Sequence, residues 1–342
     1  MKKLFFFAAL VCSMFTVQTA KAQEPVATLE HSGTSKVFYG KSSFADAYNA
    51  SVNGDQIYLS SGFFDSPASI AKGVKITGAG HVPIEVKQTQ IIAGLTINKG
   101  ADSLRLEGLY ISGDINYDAN NSINYVKIIR CLFINANFKS TSSTASKNYC
   151  SFEECFIYGN IDFSYRGNNF LLRNSILVGQ LLNIGGNALI DGNVFLFDDA
   201  YSYTFFNVSY SIIQNNIFLG KTKLFNYGYG IAGLSTNTIN KNIFVSSDPS
   251  GINKVTNYTG IVQTDIFVNQ TGNVLSYLHD YHLKKPATYI GTDSKQVGIY
   301  GGLGFKENGV PSNPIVVSKT VSQSTDTNGN LKINISVKAQ DN

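Results

Sequence analysis

Charge is scarce in this chain. Asp, Glu, Lys and Arg make up 15% of its 342 residues, with 27 basic side chains against 23 acidic ones. The first 22 residues carry Lys2, Lys3 and Lys21 and no acid; without them the balance is 24 against 23, a formal +1. No basic excess remains to attract nucleic acid or an anionic membrane. Beyond that first segment no run is apolar enough to span a bilayer, so the chain reads as not transmembrane. Helix formers never gather into a ten-residue run, which sets a helical repeat aside. The chain has four Cys. None sits in a paired CxxC or a Cys-His arrangement, so neither a thiolate metal site nor a cysteine nucleophile is indicated. Tyr, Phe, Asn, Ser and Gly are plentiful, a composition that suits stacked strands with wet polar loops.

Residues 1–22 read as a secretory signal. Lys2 and Lys3 form its basic start, 4–17 its apolar run, and Ala20-Lys21-Ala22 a small-x-small cleavage site before Gln23. Cys12 follows Val11, where a lipoprotein signal wants a small residue. The expectation is a soluble mature chain that is secreted, to the periplasm, the outer surface or the medium.

One eight-residue phrase recurs between 106 and 246: LEGLYISG (106–113), IIRCLFIN (128–135), FEECFIYG (152–159), LRNSILVG (172–179), IDGNVFLF (190–197), IQNNIFLG (213–220) and INKNIFVS (239–246). Position 1 is large and apolar, and so is position 6. Position 4 runs Leu109, Cys131, Cys155, Ser175, Asn193, Asn216, Asn242. A repeat of roughly 20–25 residues with variable length indicates a solenoid of stacked coils. Positions 1, 4 and 6 face inward together only if the chain bends between 2 and 4, so each octet is two short strands meeting at a corner. Successive Asn at that corner suggest an amide ladder with about 4.8 Å between rungs. Glu153, Arg173 and Asp191 occupy position 2 of successive coils, and Arg130 and Glu154 position 3 of neighbours, so opposite charges alternate up the outside. Cys131 and Cys155 stack in adjacent coils, within disulfide range; buried thiols in the ladder and a disulfide both stand as readings.

Ahead of the octets, Ser43-Phe44-Ala45-Asp46 fits a capping box. Phe44, Ala47, Tyr48 and Val52 then follow helical spacing, and 55–62 reads as the first coil's strand. Val74-Lys75-Ile76-Thr77-Gly78-Ala79-Gly80-His81 has turn-forming glycines and no helix after it, so it is no phosphate loop. After 274 the pattern changes. His279 and His282 lack a third metal ligand nearby and read as structural. Two alternating strands, 315–321 and 331–339, with a turn at Thr327-Asn328-Gly329-Asn330, read as a hairpin.

The octets, the short helix followed by Asp55-Gln56-Ile57-Tyr58-Leu59 and the glycine-bearing strand at 74–81 together resemble the right-handed parallel β-helix of pectate-lyase-like secreted bacterial proteins. The resemblance spans roughly 37–302. It implies an all-β right-handed parallel β-helix solenoid over 23–302, with an N-terminal capping helix, and a small C-terminal β appendage over 303–342 that covers the last coil or attaches to a neighbour. It also implies carbohydrate activity, with a groove along the third strand of each coil. Those strands fall at the start of the inter-octet segments, 114–121 through 248–269.

Two functional readings stand. One is a protein that binds or presents polysaccharide or glycan without strong catalysis. The Tyr-rich segments support it through Tyr201, Tyr203, Asn207, Tyr227 and Tyr229, flat apolar faces beside hydrogen-bonding groups. The other is a polysaccharide lyase acting on uronic-acid chains, which needs Ca²⁺ ligands and an Arg or Lys base. Asp114, Lys139, Asp162 and Arg166 each follow an octet and are the catalytic candidates. No cofactor is called for, with Ca²⁺ the exception if the chain is a lyase. The Asp trio, Gly-His-Gly and Arg-Ile-Lys segments of polygalacturonase-like relatives are absent.

Overall fold

A computed structural model describes residues 24–82, 88–117, 121–139, 145–197, 203–220, 224–226, 236–247, 249, 252–306, 309–311, 315–322 and 324–338. The signal expected over 1–22 lies outside them. The chain is an all-β parallel solenoid of about seven turns, whose strands stack into three sheets. One turn shows the plan: Arg105–Glu107 lies in sheet A, Tyr110–Ile111 in sheet B and Ile115–Tyr117 in sheet C. Each pairs in parallel with its counterpart one coil on, at Lys127–Ile129, Leu132–Phe133 and Ala136–Asn137.

The octets fold as their pattern demands. Positions 1 and 6 are buried, as in Leu106, Ile128, Phe133 and Phe218, except that Ile239 of the seventh octet is half-buried. Phe195, Phe218 and Phe244 stack almost flat, 4.8 and 4.9 Å apart. The bend falls at position 3, which is left-handed in every octet: Gly108, Arg130, Glu154, Asn174, Gly192, Asn215 and Lys241 have φ between 47 and 67°. That conformation costs a side-chain-bearing residue roughly 1 kcal/mol. The ladder at position 4 offsets it. Ser175 Oγ accepts from the Cys155 N–H at 3.0 Å, Asn193 Oδ1 from the Ser175 N–H at 2.9 Å, Asn216 Oδ1 from the Asn193 N–H at 2.8 Å, and Asn242 Oδ1 from the Asn216 N–H at 2.9 Å. Asn257 adds a further rung, accepting from the Asn242 N–H at 3.0 Å. The octet pattern misses it, because Lys254 and Thr259 hold the places of apolar residues.

Asn216 also donates to Ile190 O and Asn242 Oδ1 and accepts from Asn193 Nδ2. Asn216→Ala strands several buried groups, each costing about 1–3 kcal/mol. The expected loss, measured by denaturant unfolding, is on the order of 3 kcal/mol.

The outer charges pair as their alternation predicts. Arg173 meets Glu153, and Arg130 reaches Glu154 at 2.9 Å and Glu107 at 3.3 Å. Cys131, Cys150 and Cys155 are free thiols, all buried. Burial pushes Cys131 and Cys150 up to about 12 and Cys155 well above its ordinary value. All three are expected to resist a thiol reagent at neutral pH in the native protein and to react once it is denatured.

The N-terminal region differs in detail from its sequence reading. Helix α1, Ser43–Ala50, buries Phe44, Ala47 and Tyr48, but Val52 lies beyond its end and is exposed. Ser42, not Ser43, is the N-cap, and its Oγ donates to the Asp46 carboxylate instead of to a backbone N–H. Before it, Val26–His31 and Thr34–Tyr39 form a hairpin that extends sheet A antiparallel to Gln56–Leu59. Ser32 and Gly33, both with positive φ, are the turn that signals it.

The largest departure is the path after Asn257. Position 5 of the octets points outward, yet Leu132, Phe156, Ile176, Val194, Ile217 and Ile243 are all buried. A strap, described over 258–306 and 309–311, covers them and runs back along the solenoid. Tyr258 bridges Ile243 in the seventh octet. Asn215 of the sixth then accepts from the Thr292 N–H at 2.8 Å and, through its carbonyl, from the Gly298 N–H at 2.7 Å. Asn174 of the fourth donates to Ile299 O and Gly301 O. Glu154 of the third accepts from the Lys306 N–H. Gly309 ends against buried His81, and Pro311 against Gly108 of the first octet. The position 3 side chains of Glu154, Asn174 and Asn215 therefore serve as ties for the strap. Within the strap, His279 contacts Tyr281 and His282 pairs with Asp280. Beyond it, Ile315–Val321 and Ile333–Lys338 form an antiparallel hairpin.

Candidate functional site

Sheet C carries the sequence candidates. Ile115–Tyr117, Ala136–Asn137 and Ile161–Asn168 pair in register, so Asn116, Asn137 and Asp162 form an outward row. The residues just before these strands form a second row. Asp114 Oδ1 accepts from the Asn135 amide at 2.8 Å, Asn135 Oδ1 from the Asn160 N–H at 2.7 Å, and Asn160 Oδ1 from the Gln180 N–H at 2.7 Å. Asn137 links the rows, donating to Asp114 Oδ2 at 3.2 Å and Asn116 Oδ1 at 2.9 Å.

Asp114, Lys139 and Asp162 thus share one face, with the two carboxylates two coils apart. Lys139 Nζ lies 3.5 Å from Asp162 Oδ2. Lys139 is largely exposed, and such pairs contribute little to stability. Asp162 also accepts from the Ser164 N–H and from the Asn183 amide, and Asn207 donates in turn to Asn183 Oδ1. The Asp162–Asn183–Asn207 chain carries the polar row on up the stack. Arg166 belongs to the strand Ile161–Asn168. Tyr203 is half-buried, and its carbonyl accepts from Gln180. Tyr201, Tyr227 and Tyr229 lie outside the described residues. Among the described residues no three His, Cys, Asp or Glu side chains converge as metal ligands would.

Two aromatic features flank this face, and sequence reading missed both. At one edge Asn124, Asn148 and Asn168 form another amide ladder, followed by Tyr125 and Tyr149. These two rings are half exposed, stack 4.9 Å apart and sit on left-handed backbone. At the other edge a trough of about 330 Å³ crosses successive coils, with Tyr158, Leu196 and Phe197 as walls and Asn160 and Asn273 as polar groups. Gly179 shapes its floor: a Cβ there would come within 2.3 Å of Gly159 O. The signal for the inner ladder was present in the sequence, as Asp114, Asn135, Asn160 and Gln180 each immediately precede a third strand. Behind the face, fully buried Lys147 donates to Asn121 O and lies 4.9 Å from the Tyr117 ring centre.

No helix among the described residues is long and apolar enough to cross a membrane. Comparisons with protein-family models, with curated proteins and with solved structures each find no match for this chain.

Proposed function

We propose that this is an exported right-handed parallel β-helix protein that binds a glycan chain along the outer face of sheet C, without strong catalysis. The observation that carries the reading is the continuous row of amides and carboxylates from Asn116 through Asn207, edged by the Tyr125–Tyr149 stack and the Tyr158–Phe197 trough. Coils repeat at about 4.8 Å, on the scale of successive rings in a polysaccharide, so each coil offers one ring a similar set of partners. Aromatic rings supply the apolar contact and amides the hydrogen bonds that a sugar needs. Helix α1 and the hairpin before it act, in this reading, as a cap over the first sheet edge, and the right-handed crossover follows the strong chirality preference of parallel strands.

The test is affinity electrophoresis against a panel of neutral and uronic-acid polysaccharides. At least one should retard the protein. Asn137→Ala and Tyr149→Ala should each weaken retention by about fivefold, the loss of about 1 kcal/mol of contact. No retardation by any polysaccharide counts against the reading. The Lys139–Asp162 contact favours a second reading, a Ca²⁺-assisted lyase for uronic-acid chains. Release of unsaturated, ultraviolet-absorbing product in the presence of Ca²⁺, abolished by Lys139→Ala, would select it over simple binding.

A further inference from the structure

The strap builds a second cavity, of about 250 Å³, away from sheet C. Its walls are Phe156 of the third octet and Tyr277, Tyr281, Tyr300 and Phe305 of the strap, with Asp280 at the edge. The rings are not one flat stack. Phe305 lies nearly parallel to Phe156 at 5.5 Å, while Tyr300 meets Phe305 at 86° and 6.0 Å, and Tyr277 packs on Phe156 at 5.3 Å. The aromatic walls therefore cross, with Tyr300 at a steep angle to the Phe156–Phe305 pair.

The ring planes are fixed from outside. His282 stacks on Tyr300 with centroids 3.8 Å apart. The Tyr277 hydroxyl is committed to buried His81, 2.9 Å from its Nδ1, so Tyr277 contributes its ring to the wall and its polar end to the core. Fixed rings meet a ligand without a further ordering cost.

The charge is one-sided. Asp280 is the acidic lining residue, and no Lys or Arg lines the cavity. Asp280 Oδ1 accepts from the N–H and the imidazole of His282. Burial pushes its carboxyl up, but those bonds outweigh it and hold the group below the ordinary carboxylate range. An anionic ligand would meet this carboxylate with no Lys or Arg to compensate. A sugar would find no side-chain amide, since no Asn or Gln lines the wall. Crossed aromatic walls beside one carboxylate suit a ligand that is cationic and apolar at once.

We propose that this cavity binds a quaternary or methylated ammonium group of the choline type. The site is independent of the glycan reading. Calorimetric titration of the full chain with choline, and separately with neohexyl alcohol, its uncharged isostere, tests it. Choline should bind saturably, with the isostere at least about tenfold weaker. Tyr300→Ala should weaken choline about tenfold, and Tyr300→Phe should retain it. Asp280→Asn, at the exposed edge, should weaken choline several-fold while keeping a cooperative unfolding transition, so the test stands even if Tyr300→Ala misfolds. Sedimentation with phosphatidylcholine vesicles separates the sources. Co-sedimentation blocked by free choline supports a lipid headgroup, and choline binding without it supports a soluble ligand. No saturable choline binding, equal affinity for the isostere, or unchanged affinity in Asp280→Asn would each overturn the proposal.

Discussion

Ending the chain after Asn257 is expected to abolish the soluble folded protein. The deletion removes the strap and uncovers Leu132, Phe156, Ile176, Val194, Ile217 and Ile243, each no more than 4% exposed in the intact chain. Burying one such side chain is worth about 1.5–3 kcal/mol. Six together exceed about 9 kcal/mol, against a whole-domain stability of about 5–15 kcal/mol. The strap's own apolar side chains, Ile266, Phe267, Leu283 and Ile299 among them, are lost with it. A continuous apolar stripe of this kind along a solenoid also invites self-association. Ending the chain after Pro311 instead removes the hairpin, whose described residues from 320 to 337 are mostly exposed, and is expected to cost less than about 1 kcal/mol. Soluble expression and the cooperative unfolding transition of the two truncations provide the check. A soluble, cooperatively folding 1–257 chain would show that the strap is not what covers the stripe.

The second large effect is acid sensitivity from His81. This imidazole is fully buried, between Phe156 and Tyr277 and against Gly309. Its Nδ1 meets the Tyr277 hydroxyl, while its Nε2 has no partner among the described residues. Burial lowers its pKa from 6.5 to about 3. Below pH 6.5 the unfolded chain takes up a proton that the folded chain refuses. The neutral imidazole's contribution is therefore complete above pH 6.5 and is lost as pH falls toward 3, with no further change below that. At about 1.4 kcal/mol per pH unit the full effect is on the order of 5 kcal/mol. Carboxylates titrate in the same window, so the measurement is a difference. His81→Gln should flatten the decline of stability between pH 6.5 and 3 relative to the parent. Parallel pH profiles for the two proteins would contradict the assignment.

The solenoid was legible because a coil forces regularity on whatever lies inside it. Positions 1, 4 and 6 face the core in every turn, so their chemistry repeats and can be read without a structure. The bend at position 3 was legible for the same reason, since no other geometry turns those three side chains inward. Asn257 was lost because the last rung keeps its amide but drops the apolar neighbours. The strap was lost for a different cause. Position 5 holds Tyr110, Leu132, Phe156, Ile176, Val194, Ile217 and Ile243, an outward stripe too apolar for water, and its reading required asking what covers it. The candidate site was half legible. Asp114, Lys139 and Asp162 do share a face, but the amides that occupy both carboxylates come from other coils, and residue spacing alone does not say which side chains bond across rungs.

Hydrogen–deuterium exchange of the full chain, with and without an oligosaccharide prepared from the polysaccharide that most retards it, tests the glycan-binding reading most directly. Slower exchange is predicted along the sheet C face, at 136–139, 161–168 and 181–184, with the strap unchanged apart from the trough edge at Asn273. Protection confined to the strap, or none with any oligosaccharide of the panel, would contradict it.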